Sequence, residues 1–134
     1  DFVSIGTNDL TQYTMAADRE LGALSDLIDR WQPAVLRLVE ATARAGAASG
    51  TPVGVCGESA SDPLMALVLC GLGITSLSMS TPAVPAVRFA LRHTSLATCR
   101  AMARAAIDAP DAAAAVSAVQ ELLDPRVREA MSLD

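Results

Sequence analysis

Residues 52–71 read PVGVCGESASDPLMALVLCG, and this stretch sets the fold class of the chain. Its first five residues form a short apolar run that ends at a glycine, which is typical of a buried strand. Asp62 and Pro63 then predict a helix start, because aspartate is a favoured N-cap residue and proline is favoured at the first helical position. Residues 64–69 are apolar on every side of that helix, which predicts that the helix is largely buried.

Elements of the same two kinds flank this stretch. A short apolar run at residues 2–5 predicts another strand, and residues 76–79 predict a third short one. Residues 33–50 and 82–91 predict helices that begin at a proline. Strands that alternate with helices favour a parallel sheet with right-handed crossovers. Three strands are few for such a sheet, whose edges need covering, and the chain opens directly in a strand without an initiator methionine. We therefore expect the sequence to be a piece of a longer α/β protein.

The pattern changes after residue 94. Helices are predicted at residues 95–107 and 110–123 and again from Asp124 onward, and no strand is predicted. The first of them has an apolar stripe at Leu96, Cys99, Ala103 and Ile107. We therefore expect residues 94–134 to be a helical extension of the domain that residues 1–93 begin.

The composition excludes several classes of protein. Hydrophobic residues make up 51% of the chain and the mean hydropathy is +0.36, which excludes a disordered chain. The net charge is −5 and all ten basic residues are arginine, so a nucleic-acid-binding surface is not expected. The longest apolar stretch, residues 63–79, is too short and too interrupted to span a bilayer. The three cysteines are widely spaced and fit no zinc pattern, which favours reduced thiols in a cytoplasmic protein.

Chemically active side chains follow the predicted strands, at the ends where parallel α/β proteins bind their ligands. Asn8 and Asp9 come soon after the first strand, and the carboxylate could hold Mg²⁺. The same pair could also form an ordinary turn that caps the next helix. Cys56 lies at the tip of the second strand, where an exposed thiol can act as an acid or a nucleophile. A free cysteine that is buried there would only be a small hydrophobic residue.

Arg19 and His93 are two further candidates for a functional role. Arg19 follows the first strand in a long loop, where it could clamp a phosphate or lie on the solvated surface. His93, the single histidine, is predicted at the end of the third helix, far in sequence from Cys56. That separation argues against a hydrolase with a cysteine–histidine pair.

Residues 4–13, SIGTNDLTQY, and residues 54–58, GVCGE, together resemble the C-terminal signature of the phosphoenolpyruvate-utilising enzymes. That family contains Enzyme I of the bacterial sugar phosphotransferase system, pyruvate phosphate dikinase and phosphoenolpyruvate synthase. Residues 17–19, ADR, residues 78–80, SMS, and the helical residues after 94 are similar to the Enzyme I branch. The resemblance implies the last three strands and helices of a (β/α)₈ TIM barrel, followed by a helical tail.

The resemblance also implies roles for particular residues. Asn8 and Arg19 would bind the phosphate of phosphoenolpyruvate, with Thr7 lining the site. Asp9 would bind Mg²⁺, and Cys56 would protonate the enolate to give pyruvate. In Enzyme I the phosphoryl group passes to a histidine of a separate domain and then to the carrier protein HPr, which serves sugar uptake. Proteins of this kind form homodimers through the barrel domain, so we expect self-association.

Two other functions remain open. A dikinase or synthase would share these motifs and would carry an ATP-binding domain elsewhere, and a non-catalytic remnant would keep residues 7–9 only to bind phosphoenolpyruvate. Residues 59–63, SASDP, also depart from the Leu-Ala-Gly-Asp-Glu that is commoner in the family. By the resemblance, the phosphorylated histidine and a second metal carboxylate lie in other parts of the protein. We therefore expect this chain to be inactive by itself.

Overall fold

A computed structural model describes residues 1–17 and 27–131 of the chain. Three parallel strands, β1 (Val3–Gly6), β2 (Val53–Cys56) and β3 (Ser76–Ser78), form one sheet in the order β1-β2-β3. The register pairs Gly6 with Cys56 and Cys56 with Ser78, so the carboxyl ends of all three strands lie in one row. The predicted α/β class with a parallel sheet is confirmed.

Helices follow each strand. The described helices are α1 (Thr7–Met15), α2 (Pro33–Ser49), α3 (Glu58–Ser61), α4 (Pro63–Gly71), α5 (Val84–His93), α6 (Leu96–Asp108), α7 (Ala112–Glu121) and α8 (Pro125–Ala130). A 3₁₀ turn at Thr81–Ala83 precedes α5. The three predicted tail helices are confirmed as α6, α7 and α8, and no described helix is long and apolar enough to span a bilayer.

The core lies on one face of the sheet. Ile5, Val55 and Leu77 are paired across the strands and pack into it together with α4. Every residue from Leu64 to Leu69 is at most 3% exposed, which confirms the buried helix. On the other face, where alternate side chains point, Ser4, Ser76 and Ser78 are exposed. The sheet is therefore apolar toward the helices and small and polar toward the opposite side.

The helix ends show why the chain folds in these segments. The Asp62 carboxylate caps α4 by accepting hydrogen bonds from the backbone N–H groups of Leu64 and Met65. Ser95, Asp111 and Asp124 cap α6, α7 and α8 in the same way. Four short polar side chains thus satisfy helix N–H groups that would otherwise lack partners, and each marks a boundary that the sequence predicts.

Several details differ from the sequence predictions. Residues 7–15 form α1 rather than only a turn, and its Thr11 and Thr14 hydroxyls donate to carbonyls one helical turn earlier. Residues 58–61 form the short helix α3, which was not predicted. The first strand begins one residue later than expected, and Phe2 is 75% exposed. Leu96 is 48% exposed, because the buried stripe of α6 begins only with Cys99.

Candidate functional site

Two helices begin at the row of strand ends. α1 starts immediately after Gly6, the last residue of β1, and α3 starts after Gly57, one residue beyond β2. No side chain caps either helix. The first N–H groups of α1 therefore have no partner in the helix and lie at the positive end of its dipole. Such a helix start favours an anionic ligand.

The first turn of α1 carries three of the residues that the sequence singled out. Thr7 is 4% exposed, and its hydroxyl has no hydrogen-bond partner among the described residues. Asn8 is exposed and lines a cleft beside α3. Asp9 is also exposed but lines a separate depression with Gln12 and Tyr13. The turn thus offers a buried hydroxyl, an amide and a carboxylate in three different surroundings.

Cys56 occupies the end of the central strand. The residue is half-buried, and its Sγ donates to the carbonyl of Ile5 in β1 at 3.6 Å. The next residue, Gly57, donates its N–H to the Ser78 carbonyl of β3 at 3.3 Å. Gly57 has φ of 90° and ψ of −153°, a conformation essentially restricted to glycine. The thiol is thus held between two neighbouring strands at the start of a glycine-dependent turn.

A cleft of about 430 Å³ lies between α1 and α3. It is lined by Asn8, Thr11, Gln12, Ile28, Asp29, Arg30, Trp31 and Glu58. Gln12, Arg30 and Glu58 are lining residues that the sequence did not predict. Gln12 could have been found only with α1 recognised as a helix, because it lies one turn after Asn8 on the same face.

The described residues supply little of a metal site. No group of three or more histidine, cysteine, aspartate or glutamate side chains lies close enough to hold a metal in residues 1–17 and 27–131. Mg²⁺ is often bound by one or two carboxylates with water and substrate oxygens. The exposed Asp9 therefore fits Mg²⁺ as a single ligand. Arg19 lies outside the described residues.

The remaining cysteines and the histidine lie elsewhere. Cys99 is 1% exposed, and burial, together with the neighbouring Cys70 thiol, raises its pKa from 9.0 to about 11. Cys70 is half-buried on α4, and His93 is the last residue of α5, where its Nδ1 lies 2.8 Å from the Phe89 carbonyl. Because α5 runs back from the carboxyl end of β3, His93 lies away from Cys56. Cys56 is thus the one thiol at the strand ends.

Residues 1–96 match the protein family described as PEP-utilising enzyme, PEP-binding domain. The chain belongs to this family. The matched residues include the three strands, the first turn of α1 and the turn that follows Cys56. The site at the strand ends is therefore part of the PEP-binding family domain.

The similarity to individual proteins covers most of the chain. A phosphoenolpyruvate-protein phosphotransferase of Streptomyces coelicolor is 54% identical over 123 residues, which are 92% of this chain and 22% of that protein. A multiphosphoryl transfer protein of Rhodobacter capsulatus is 50% identical over 84% of this chain and 14% of its own length. A phosphoenolpyruvate-protein phosphotransferase of Haemophilus influenzae is 39% identical over 92% of this chain and 21% of its own length. The chain thus spans about a fifth or less of these relatives, and the similarity continues beyond residue 96 into the helical tail.

Proposed function

We propose that this chain is the phosphoenolpyruvate-binding part of a phosphoenolpyruvate-protein phosphotransferase, the Enzyme I of a bacterial sugar phosphotransferase system. In this proposal residues 1–93 are the last three strand–helix units of a (β/α)₈ barrel, and residues 94–134 are a helical extension of the same domain. The exposed sheet face that carries Ser4, Ser76 and Ser78 would then point into the barrel. The alignments with phosphotransferases, which continue into the helical tail, support this branch of the family.

One observation carries the proposal: the uncapped start of α1 and the Cys56 thiol lie at the ends of neighbouring strands. Gly6, which precedes α1, is paired in register with Cys56. Neighbouring strands lie about 4.8 Å apart. A phosphate held by the first N–H groups of α1 and by Asn8 would therefore leave a three-carbon enol within reach of the thiol. Phosphoenolpyruvate is an anion of that size and shape.

The chemistry of the proposed reaction balances with these groups. The bond between phosphorus and the enol oxygen breaks, and the phosphoryl group passes to a histidine of another domain and then to HPr. The electron pair stays on the substrate as the enolate of pyruvate. The Cys56 thiol gives its proton to the methylene carbon of the enolate, which makes the methyl group of pyruvate. The thiolate that remains takes a proton from water before the next turnover.

Asp9 and Arg19 are proposed to balance the charge of the substrate. Asp9 would be one ligand of Mg²⁺, which when bound neutralises charge on the oxygens of the phosphoryl group. Arg19 would bind the phosphate with its planar guanidinium. Thr7, whose buried hydroxyl has no partner among the described residues, would line the substrate site beside Asn8.

The test uses the full-length protein with radiolabelled phosphoenolpyruvate, Mg²⁺ and HPr, without nucleotide. Label is expected on HPr, and Cys56→Ala is expected to lower turnover by about 10²- to 10⁴-fold, the usual contribution of a general acid. Cys70→Ala is the matched control, because Cys70 is also half-buried but lies on α4. Turnover in Cys56→Ala equal to that of the unsubstituted protein would contradict the role of the thiol.

The same assay tests the two other functions. ATP formation after addition of AMP with diphosphate would identify a dikinase, and ATP formation after addition of AMP with orthophosphate would identify a synthase, provided that HPr stays unlabelled. Binding of phosphoenolpyruvate without any turnover would identify a non-catalytic domain. This chain alone is expected to leave HPr unlabelled, because its single histidine, His93, lies away from the strand ends.

We also propose that the full-length protein acts in the cytoplasm and forms a homodimer through this domain. Large apolar side chains that remain exposed on the chain support association. They include Phe2, Leu38, Leu96 and Leu122, which are between 42% and 75% exposed. Sedimentation over a range of concentrations is expected to show a dimer, and a monomer at every concentration would contradict this proposal.

A further inference from the structure

The Asp62 carboxylate joins two segments beside the cleft. Its Oδ1 accepts hydrogen bonds from the backbone N–H groups of Leu64 at 2.9 Å and Met65 at 3.3 Å, which cap α4. Its Oδ2 accepts a hydrogen bond from Nη2 of Arg30 at 3.2 Å. The two oxygens make separate contacts, so the contact with Arg30 can be removed while the cap is kept.

Arg30 is held in place by its neighbours. The Trp31 side chain is buried at 5% exposure. The Trp31 N–H donates to Oδ1 of Asp29 at 2.8 Å, and the Gln32 N–H donates to the Asp29 carbonyl at 3.1 Å. This turn leads directly into α2. The guanidinium of Arg30 therefore reaches Asp62 from a backbone that a buried indole and two hydrogen bonds fix.

Asp62 also ends the turn that begins after Cys56. The Gly57 carbonyl accepts a hydrogen bond from the Ser61 hydroxyl at 3.1 Å, and Ser59 and Ala60 between them are at most 2% exposed. Gly57 and the short helix α3 thus connect Cys56 directly to Asp62.

We propose that Arg30 is a positioning residue for Cys56 and acts through its ion pair with Asp62. The proposal rests on the proposed function in taking Cys56 as the acid. Arg30 lines the same cleft as Asn8 and Glu58, so the ion pair also fixes one wall of that cleft. The two side chains are 42% and 19% exposed. Because partly exposed ion pairs are weak, the expected effects are about two- to fivefold.

The first experiment measures the rate at which iodoacetamide alkylates Cys56 in this chain. Cys56 and Cys70 both lie between Arg44 and Arg88, so cleavage after arginine leaves them in one peptide. Fragmentation of that peptide in the mass spectrometer therefore has to distinguish alkylation of Cys56 from alkylation of Cys70. Arg30→Gln and Asp62→Asn are each expected to raise the Cys56 rate about two- to fivefold. Asparagine keeps the cap of α4. The double variant is expected to react no faster than either single variant, because both changes break the same contact.

Two further variants separate positioning from general stability. In Arg30→Lys the alkylation rate of Cys56 is expected to stay near that of the unsubstituted chain, since an ammonium group can also pair with Asp62. Arg104→Gln is the matched control, because it breaks a similar exposed ion pair, to Glu40 at 3.1 Å, on α6 and α2. It is expected to leave the Cys56 rate unchanged. Unchanged rates in Arg30→Gln, or additive effects in the double variant, would overturn the proposal.

The second experiment measures pyruvate formation by the full-length protein. Arg30→Gln is expected to lower kcat about two- to fivefold without raising the KM for phosphoenolpyruvate, and Arg30→Lys is expected to recover it. A raised KM with unchanged kcat would overturn the positioning role. If the full-length protein does not act on phosphoenolpyruvate at all, the proposed function fails, and the alkylation rates still decide whether Arg30 positions Cys56.

Discussion

Gly71 near the end of α4 lies directly against the backbone of Cys99 in α6, so closely that a Cβ atom on Gly71 would overlap the Cys99 carbonyl. The glycine is needed for this approach rather than for its backbone conformation, because it lies within the helix. α4 belongs to the strand–helix part of the chain and α6 to the tail. The contact supports our proposal that residues 94–134 are an extension of the same domain.

Gly71→Ala is expected to lower the free energy of unfolding by about 1–3 kcal/mol, because the new methyl group forces α4 and α6 apart. Gly6→Ala is the matched control, since its Cβ would meet no atom within 4 Å and its φ is −87°. That variant is expected to stay within about 0.5 kcal/mol of the unsubstituted chain. Urea unfolding measures both, and equal losses in the two variants would contradict the close contact.

Gly57→Ala tests a different requirement of the backbone. A Cβ on Gly57 would also meet no atom within 4 Å, but the residue has φ of 90°. The expected loss in the free energy of unfolding is about 1–3 kcal/mol from backbone strain alone. Neither Gly6 nor Gly57 has an atom close to the added methyl group, so a difference in stability between the two variants measures the backbone strain at Gly57. A Gly57→Ala variant as stable as Gly6→Ala would show that the turn after Cys56 does not need glycine.

Cys99 predicts a pH dependence of stability. The unfolded chain loses the Cys99 proton near pH 9.0, whereas the folded chain keeps it until about pH 11. Between these values the unfolded state binds fewer protons, so stability falls as pH rises, by up to about 1.4 kcal/mol per pH unit. Below pH 9 this contribution is fully present.

The measurement is urea unfolding at pH 8, 9 and 10 in a reducing buffer, with Cys99→Ala beside the unsubstituted chain. Because Cys99→Ala loses packing at every pH, the two proteins are compared by how steeply the free energy of unfolding changes with pH, and not by its absolute value. The unsubstituted chain is expected to decline more steeply above pH 9 than Cys99→Ala. Parallel slopes would show that Cys99 ionises as readily in the folded chain as in the unfolded one.

The sequence predicts most of the strands and helices because their signals are local. The caps at Asp62, Ser95, Asp111 and Asp124 are short polar residues ahead of apolar runs, and each one begins a helix. The strand β2 is also predicted from a local signal, the short apolar run that ends before Gly57. The helix α1 is not predicted in this way, because no side chain caps its first turn.

The candidate site is less predictable than the fold because it depends on contacts between distant segments. The position of Cys56 at a strand end follows from the sequence, and so does the place of Asn8 after β1. The contact of Arg30 with Asp62 joins residues 32 positions apart, and neither composition nor periodicity indicates it. The buried Thr7 hydroxyl without a partner is likewise visible only once α1 is placed against the sheet.

Thr7→Val offers a test of the substrate site that also controls for folding. The Thr7 hydroxyl is buried without a partner among the described residues, and an unsatisfied buried hydroxyl costs about 1–3 kcal/mol. Valine has nearly the same shape, so the free energy of unfolding is expected to stay equal or to rise. If phosphoenolpyruvate accepts a hydrogen bond from this hydroxyl, the same variant is expected to bind it about tenfold more weakly or worse.

Ser59→Ala is the comparison for this test. The Ser59 hydroxyl is 2% exposed and equally lacks a partner among the described residues, but it belongs to α3 and has no proposed contact with the substrate. Both variants are therefore expected to keep or gain stability in urea, while only Thr7→Val loses affinity in calorimetric titration of the full-length protein with phosphoenolpyruvate and Mg²⁺. Equal affinities in the two variants would exclude Thr7 from the phosphate site, whereas a loss of stability in Thr7→Val would show that its hydroxyl is already satisfied within the fold.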